Sequence, residues 1–295
     1  MADAVTGVIV EALAGFYYVK ADESRGIIEC RARGRFRSEN ISPLVGDRAE
    51  AELHGENKGT VTRILPRKNE FARPPVANID AMVIVASAAP PVTETYLIDR
   101  MAAAAELAGA EPVICLNKLD LNDAGALYGI YSRAGFRVFR VSARTGEGTE
   151  ELLHALRGRT SALTGSSGVG KSSILNALGL DIATGEVSGK LGRGRHTTRH
   201  VRLYDIKGAL VTDTPGFSAF DTERAAPKTS AELERAFRDF APYLGHCRFR
   251  DCSHTSEPGC AVLEAARRGE IASARHRSYV RLCAEAAEAR AREYK

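Results

Sequence analysis

The sequence predicts an α/β protein: a mostly parallel sheet flanked by helices, with a small all-β barrel before it and a helical, cysteine-bearing segment after it. Three observations predict this. Residues 1–70 break into five short, partly alternating apolar runs; residues 79–216 alternate between strand-like and helix-like segments; and three cysteines and a histidine crowd into residues 247–260 between helical stretches. The chain divides on this basis into 1–70, 71–224 and 225–295.

The first unit reads VTGVIVEA, FYYVKA, GIIECRARG, GDRAEAEL and GTVTRIL, separated by Gly, Asp, Ser and Pro. Five short strands with turn residues between them suggest a closed barrel, either of the oligonucleotide-binding (OB) type or SH3-like. Leu65-Pro66 and Arg73-Pro74-Pro75 then mark a linker.

The second unit opens on the buried strand IDAMVIVASA, and TETYLIDRMAAAAELAG is a helix ending at Gly109. EPVICLNKLD is a strand running into a polar loop, residues 122–134 are helical, RVFRVSA is a strand and EGTEELLHALRG a helix. RTSALTGSSG is a strand entering a glycine loop, VGKSSILNALG a helix, and VRLYDIKG and ALVTDTPG are two closing strands. Such alternation builds a mostly parallel sheet covered on both faces. The third unit holds the helix TSAELERAFRDF, the Cys/His loop and two helices, 261–269 and 271–293.

Hydrophobic residues make up 44% of the 295, enough for a real core and too many for a disordered or fibrous chain. No apolar run approaches the ~20 residues of a membrane span. The opening MADAVTGVIVEALAG lacks the basic start of a signal peptide, so a cytoplasmic protein without membrane contact is expected. The net charge of +4 is too modest to imply nucleic acid by itself. Its distribution is more telling: Lys190, Arg193, Arg195, Arg199 and Arg202 lie in an acid-free stretch, and residues 31–37 read RARGRFR. Either cluster suits a phosphate backbone or a solvated loop.

Gly165-Ser166-Ser167-Gly168-Val169-Gly170-Lys171-Ser172 matches GxxxxGK[ST] between a predicted strand and a predicted helix, the context a phosphate-binding P-loop needs. Its glycines let backbone N–H groups curl around phosphates, and the helix N-terminus adds partial positive charge. Lys171 reaches the β/γ-phosphates in this reading, and the Ser172 hydroxyl ligates Mg2+.

Asn117-Lys118-Leu119-Asp120 ends a buried strand. A carboxylate there accepts from guanine N1–H and the N2 amino group, donors adenine lacks, so Asp120 selects GTP over ATP. Asn117 ties this loop to the P-loop side, and the Lys118 stem lies along the base. Ser142-Ala143 closes the strand at VSA, 22 residues beyond Asp120, where the Ala143 N–H meets guanine O6.

Asp213-Thr214-Pro215-Gly216 lies 42 residues after Lys171. Asp213 holds Mg2+ through water in this reading, and the Gly216 N–H senses the γ-phosphate. Between it and the P-loop sit Thr197 and Thr198; one of these two hydroxyls, Thr198 ahead of Thr197, is read as the Mg2+-sensing group of a switch loop. Where a Ras-like enzyme places a water-orienting Gln, this chain has Phe217. His196 is the candidate catalytic replacement alongside Lys171; its plainer reading is one polar residue in a basic loop.

The order of these motifs carries the most information. The guanine-reading loop comes first, then Ser142-Ala143, then the P-loop, then the switch threonines, then DTPG. Strand adjacency does not depend on where a chain ends, so the pattern predicts a circularly permuted P-loop G-domain. Near the C-terminus, Cys247, Cys252, His254 and Cys260 supply three thiolates and one imidazole, a donor set for one structural Zn2+. The alternatives are buried free thiols or a disulfide pair.

Together, PPVANID at 74–80, NKLD at 117–120, GSSGVGKSS at 165–173, GRGRHTT at 192–198, DTPGF at 213–217 and CRFRDCSHTSEPGC at 247–260 resemble the bacterial ribosome small-subunit-dependent GTPase A family across nearly the whole chain. The resemblance implies an OB barrel, a permuted G-domain and a zinc domain. It extends the GTP/GDP-contact set through Ser173 and makes His196 the counterpart of the family's switch histidine. It also implies late maturation of the 30S subunit, contact with 16S rRNA, hydrolysis stimulated by that subunit, release of an assembly factor, and a monomer. Two departures stand out: Arg199 where the family often has a third threonine, and Ser166 where a Gln is expected.

Overall fold

The computed structural model describes residues 4–22, 26–34, 36, 41–72, 74–180, 201–213 and 229–293. Five strands close the barrel in the order β1-β2-β3-β5-β4: β1 (Ala4–Leu13), β2 (Phe16–Ala21), β3 (Ile27–Ala32), β4 (Arg48–Leu53) and β5 (Lys58–Ile64). Alternation decides their inward faces. Val5, Ile9, Val19, Ile28, Cys30, Ala49, Ala51 and Val61 form the barrel core, as the period of two along a strand requires. Gly7 on β1 leaves room for β2, since a Cβ there would lie 2.3 Å from the Lys20 carbonyl oxygen.

The segment read as a linker is ordered as a hairpin, β6 (Glu70–Ala72) with β7 (Pro75–Ala77). Phe71 and Val76 are buried in one cluster with Ile79, Met82 and Ile84 of the next domain's core. Burial of these two side chains, which the flanking prolines concealed, turns a connection into a packed element.

The central sheet has six strands in the order β10-β9-β8-β11-β13-β12. These are β8 (Ala81–Ser87), β9 (Glu111–Asn117), β10 (Arg137–Arg140), β11 (Thr160–Thr164), β12 (Tyr204–Ile206) and β13 (Ala209–Asp213). All pairs are parallel except β12 with β13. Every residue of β8 and of β11 is buried, the mark of central parallel strands covered on both faces. The helices α1 (Thr95–Leu107), α2 (Gly125–Arg133), α3 (Thr149–Leu156) and α4 (Lys171–Ala177) connect them. Helix α2 starts at Gly125, three residues later than expected. The side-chain Oδ1 atoms of Asn122 and Asp123 accept from the N–H groups of Ala124 and Gly125, respectively, a local turn that competes with the first helical turn.

Barrel and sheet are joined across β1. Glu11 and Arg202 form an antiparallel bridge, and the Leu203 N–H donates to the Val10 carbonyl at 2.8 Å. Val10, Val45, Val201 and Leu203 form a small apolar cluster there, and Lys20 pairs with Asp205 of β12.

The expected helix over 229–240 is two pieces: α5 (Ser230–Arg235) and a 3-10 segment (Arg238–Tyr243). Phe237 is extended between them, which turns Phe237 and Phe240 onto Tyr279, with ring centroids 5.3 and 4.8 Å away. Thr229 caps α5 by accepting from the Glu232 N–H at 3.1 Å. The last two helices are α6 (Ala261–Arg267) and α7 (Ser273–Glu293). Helix α7 reaches back to α1 through Arg275, which is 1% exposed. Its guanidinium donates to Asp99 at 2.6 Å and to both oxygens of Asp239 at 2.7 and 2.8 Å. Burial pushes the Asp99 carboxyl up to about 6, in spite of the opposing Arg275 charge. Among the described residues, no helix is long and apolar enough to cross a membrane.

Candidate nucleotide site and metal centre

The glycine loop is the turn from β11 into α4. Gly165 follows β11 with φ 144°, and a Cβ there would stand 2.2 Å from the Val85 carbonyl oxygen of β8. Gly170, at φ 96°, faces the Asn117 side chain, and a Cβ would lie 2.3 Å from Asn117 Nδ2. Only glycine satisfies both the backbone conformation and the close approach at these two places. Lys171, the first residue of α4, folds back so that Nζ donates to the carbonyls of Gly165 at 2.7 Å and Ser166 at 3.0 Å. Val169 is fully buried beneath the turn. Ser172 and Ser173 follow in the first turn of α4, and Ser167 and Gly168 lie in the turn before it.

Asn117 is the hinge of the site. It ends β9, next but one to β11, and is 3% exposed. Its Nδ2 donates to the Val169 carbonyl at 2.9 Å. Its Oδ1 accepts from the Ala143 N–H at 3.1 Å. One amide therefore ties three segments, at 117–120, 142–143 and 165–172, to one end of the sheet. In this structure the Ala143 N–H is directed at Asn117, where the sequence left it open for guanine O6.

Lys118 takes the left-handed conformation, φ 67°, and Nζ donates to the Pro90 carbonyl at 2.6 Å. The Leu119 N–H donates to the Val141 carbonyl at 3.1 Å, holding the loop against the segment after β10. Asp120 accepts from Ser142 Oγ at 2.5 Å and pairs with Arg144 at 2.8 Å. The Ser142 hydroxyl above all, with Arg144, holds the Asp120 carboxyl below its ordinary range. Asp120 is thus an ionised acceptor at neutral pH, as guanine recognition needs. Arg144 escaped the sequence reading, although it directly follows Ser142-Ala143.

Asp213 ends β13, paired in register with Leu163 of β11. It therefore lies at the strand neighbouring the one that delivers the P-loop. His196, Thr198 and Gly216 fall outside the described residues.

At the other functional cluster, the donor atoms of Cys247, Cys252, His254 and Cys260 all lie within 4.8 Å of one another. His254 Nδ1 is 3.5 Å from both Cys247 Sγ and Cys260 Sγ, and those sulfurs are 4.0 Å apart. Tetrahedral coordination with metal–sulfur bonds of ~2.3 Å sets sulfur–sulfur edges of ~3.8 Å, so the set fits a tetrahedral cation. None of the six cysteines is joined in a disulfide. Burial pushes the Cys252 thiol up to about 12, a cost that a bound divalent cation reverses by stabilising thiolate. The Ala261 N–H donates to Cys247 Sγ and the Leu263 N–H to Cys260 Sγ, both at 3.4 Å, so the start of α6 points its open N–H groups at sulfur. Glu234 of α5, which the sequence reading missed, meets His254 Nε2 at 3.1 Å; nothing in SAELER announces that contact.

A parallel sheet whose glycine loop meets an Asn-Lys-Leu-Asp loop from earlier in the chain defines a circularly permuted GTPase fold. The RsgA GTPase family model matches residues 64–223, and the RsgA N-terminal domain model matches residues 6–61. The chain is 46% identical to "Small ribosomal subunit biogenesis GTPase RsgA" of Caldanaerobacter subterraneus subsp. tengcongensis, covering 99% of each chain. Among solved structures, YjeQ from Thermotoga maritima is 35% identical with a TM-score of 0.81, over 96% of this chain and 99% of that one. YloQ, described as a circularly permuted GTPase, is 34% identical with a TM-score of 0.82, over 97% of this chain and 96% of that one. This chain belongs to the RsgA GTPase family, and it is a GTPase.

Proposed function

We propose that the protein hydrolyses GTP to GDP and phosphate during late maturation of the 30S ribosomal subunit, binding 16S rRNA and being stimulated by the subunit. The observation that carries the site assignment is the Asn117 amide, which bonds the base-reading side of the site to the turn at Gly170. Asn117, Lys118, Leu119, Asp120, Ser142 and Ala143 form the guanine side. Gly165 through Ser173 form the phosphate side, with Asp213 and Gly216 completing it. Mg2+, when bound with the nucleotide, neutralises phosphate charge, and Ser172, Asp213 and Thr198 would hold it.

Lys171 stabilises charge on the transferred phosphoryl group in this scheme, and His196 orients the attacking water. With no Gln beside the second switch, intrinsic hydrolysis is slow and the subunit supplies the missing organisation. The family's relatives named as small ribosomal subunit biogenesis GTPases support the ribosomal role. The cation in the Cys/His centre is Zn2+, because three thiolates and an imidazole are its preferred tetrahedral donors. The working units are 1–70, 71–224 and 225–295, in a cytoplasmic monomer that releases an assembly factor from the subunit.

Phosphate release from GTP, measured with and without purified 30S subunits, tests the proposal. Stimulation is expected. A rate unchanged by subunits overturns the assignment and leaves a GTP sensor.

A further inference from the structure

Resting on the reading of the Cys/His cluster as a zinc centre, we infer that Glu234 is a positioning residue for it: Glu234 fixes the His254 ring so that Nδ1 faces the thiols. A histidine ring has two broadly equivalent orientations about its last torsion, exchanging the edges that carry the two nitrogens. The backbone of the loop does not choose between them. It is fixed separately, by His276 Nε2 against the His254 carbonyl at 2.8 Å and by the Tyr279 hydroxyl donating to the Ser253 carbonyl at 2.9 Å. Glu257 adds to this by accepting from the N–H groups of Ser253, Thr255 and Ser256. His254 itself has φ 60°, so the main chain is held in an uncommon conformation without reference to the ring.

The ring's orientation is set by Glu234. A carboxylate only accepts hydrogen bonds, so Nε2 at 3.1 Å from Glu234 Oε2 must carry the proton. A neutral imidazole with Nε2–H has its lone pair on Nδ1, the atom 3.5 Å from two of the sulfurs. The site is buried enough for this to matter: the His254 side chain is 5% exposed, and that of Glu234 is 24% exposed. A carboxylate behind a metal-binding histidine both orients it and makes the ligand nitrogen more basic. The contact also joins α5 to the loop, since Glu234 lies on α5 and His254 does not.

The test uses the full-length protein. Zinc affinity is measured by competition with a chromophoric chelator for wild type, Glu234→Ala, Glu234→Gln and a control, Glu150→Ala, whose exposed carboxylate pairs with Arg157 at the end of α3. Glu234→Ala is expected to lose affinity by ~10–100-fold. Glu234→Gln, whose amide oxygen still accepts the Nε2 proton, is expected to fall between, and the control to match wild type. The Co2+-substituted protein should show a shifted visible spectrum for Glu234→Ala. Histidine nitrogen–proton correlation in the zinc-loaded wild type gives a reading that no folding defect can disturb; it should find Nδ1 metal-bound and Nε2 protonated. Metal on Nε2, or wild-type affinity and cobalt spectrum in Glu234→Ala, overturns the inference. A wild-type protein that takes up no zinc instead refutes the metal reading beneath it.

Discussion

Asn117 Nδ2 donates to the carbonyl of Val169 at 2.9 Å, across 52 residues of chain. The same amide accepts from Ala143 through Oδ1. The Asn-Lys-Leu-Asp loop and the glycine loop, far apart along the chain, are therefore neighbours in space, held by one buried side chain.

This contact leaves no room beside it. Gly170→Ala would place a methyl group 2.3 Å from Asn117 Nδ2, on a backbone with φ 96°. The expected outcome is a loss of about 1–3 kcal/mol from strain alone, with GDP affinity falling at least ~10-fold as the loop shifts. Titration with a fluorescent guanine nucleotide measures it, and wild-type affinity would refute the tight approach.

Asp120 is ionised and carries Ser142 and Arg144 as partners. Asp120→Asn replaces an acceptor by a donor at the base. Guanine nucleotide affinity should fall by about 2–3 kcal/mol, or ~100-fold, and xanthine nucleotides should bind in preference. Competition among GTP, XTP and ATP reads this directly. If ATP competes as well as GTP against wild type, the base-reading role of Asp120 is wrong.

Lys171→Ala removes the ammonium that bonds the Gly165 and Ser166 carbonyls. GTP turnover should be lost, with the stability of the fold nearly unchanged, since Lys171 is only partly buried. Single-turnover phosphate release and thermal unfolding separate the two effects. Normal turnover would remove the phosphate-binding assignment.

Removal of metal should act on one part of the molecule. Cys252→Ser, or chelation of wild type, is expected to lose zinc and to unfold the loop and α6, because the sulfurs lie within the hydrophobic cluster of Phe237, Phe240 and Tyr279. Guanine nucleotide binding should persist, as no ligand of the cluster touches the site at Asn117. Metal analysis with hydrogen exchange checks both halves; unchanged metal content in Cys252→Ser would contradict the centre.

The Arg275 network gives a prediction with a pH sign. Asp99 has an ordinary value of 3.8 when exposed and is pushed up to about 6 by burial. A carboxyl whose folded value is raised stabilises the fold fully below its unfolded value, and that contribution is lost as pH rises through the folded value. The stability of wild type relative to Asp99→Asn should fall by about 2–3 kcal/mol between about pH 4 and 7. Urea unfolding of both proteins, with zinc present, measures the difference; a flat difference would mean that Arg275 keeps Asp99 ionised throughout. Arg275→Leu, which leaves Asp99 and Asp239 without their cation, should cost about 3–5 kcal/mol at neutral pH.

The sequence by itself determined what depends on short-range pattern. The five barrel strands, the strand–helix alternation, the glycine loop, the Asn-Lys-Leu-Asp loop and the four Cys/His donors were all legible, because each is a local composition or spacing. The permutation was legible too, since motif order is itself a property of the chain. Tertiary structure alone decided the rest. The segment around Pro75 is a packed hairpin, Glu70–Ala72 with Pro75–Ala77, because Phe71 and Val76 find a core shared with β8. The Ala143 N–H meets Asn117, and Glu234 meets His254, through contacts between residues 26 and 20 apart in sequence. A side chain's partner across such distances is fixed by how sheets and helices pack, and no periodicity along the chain encodes it.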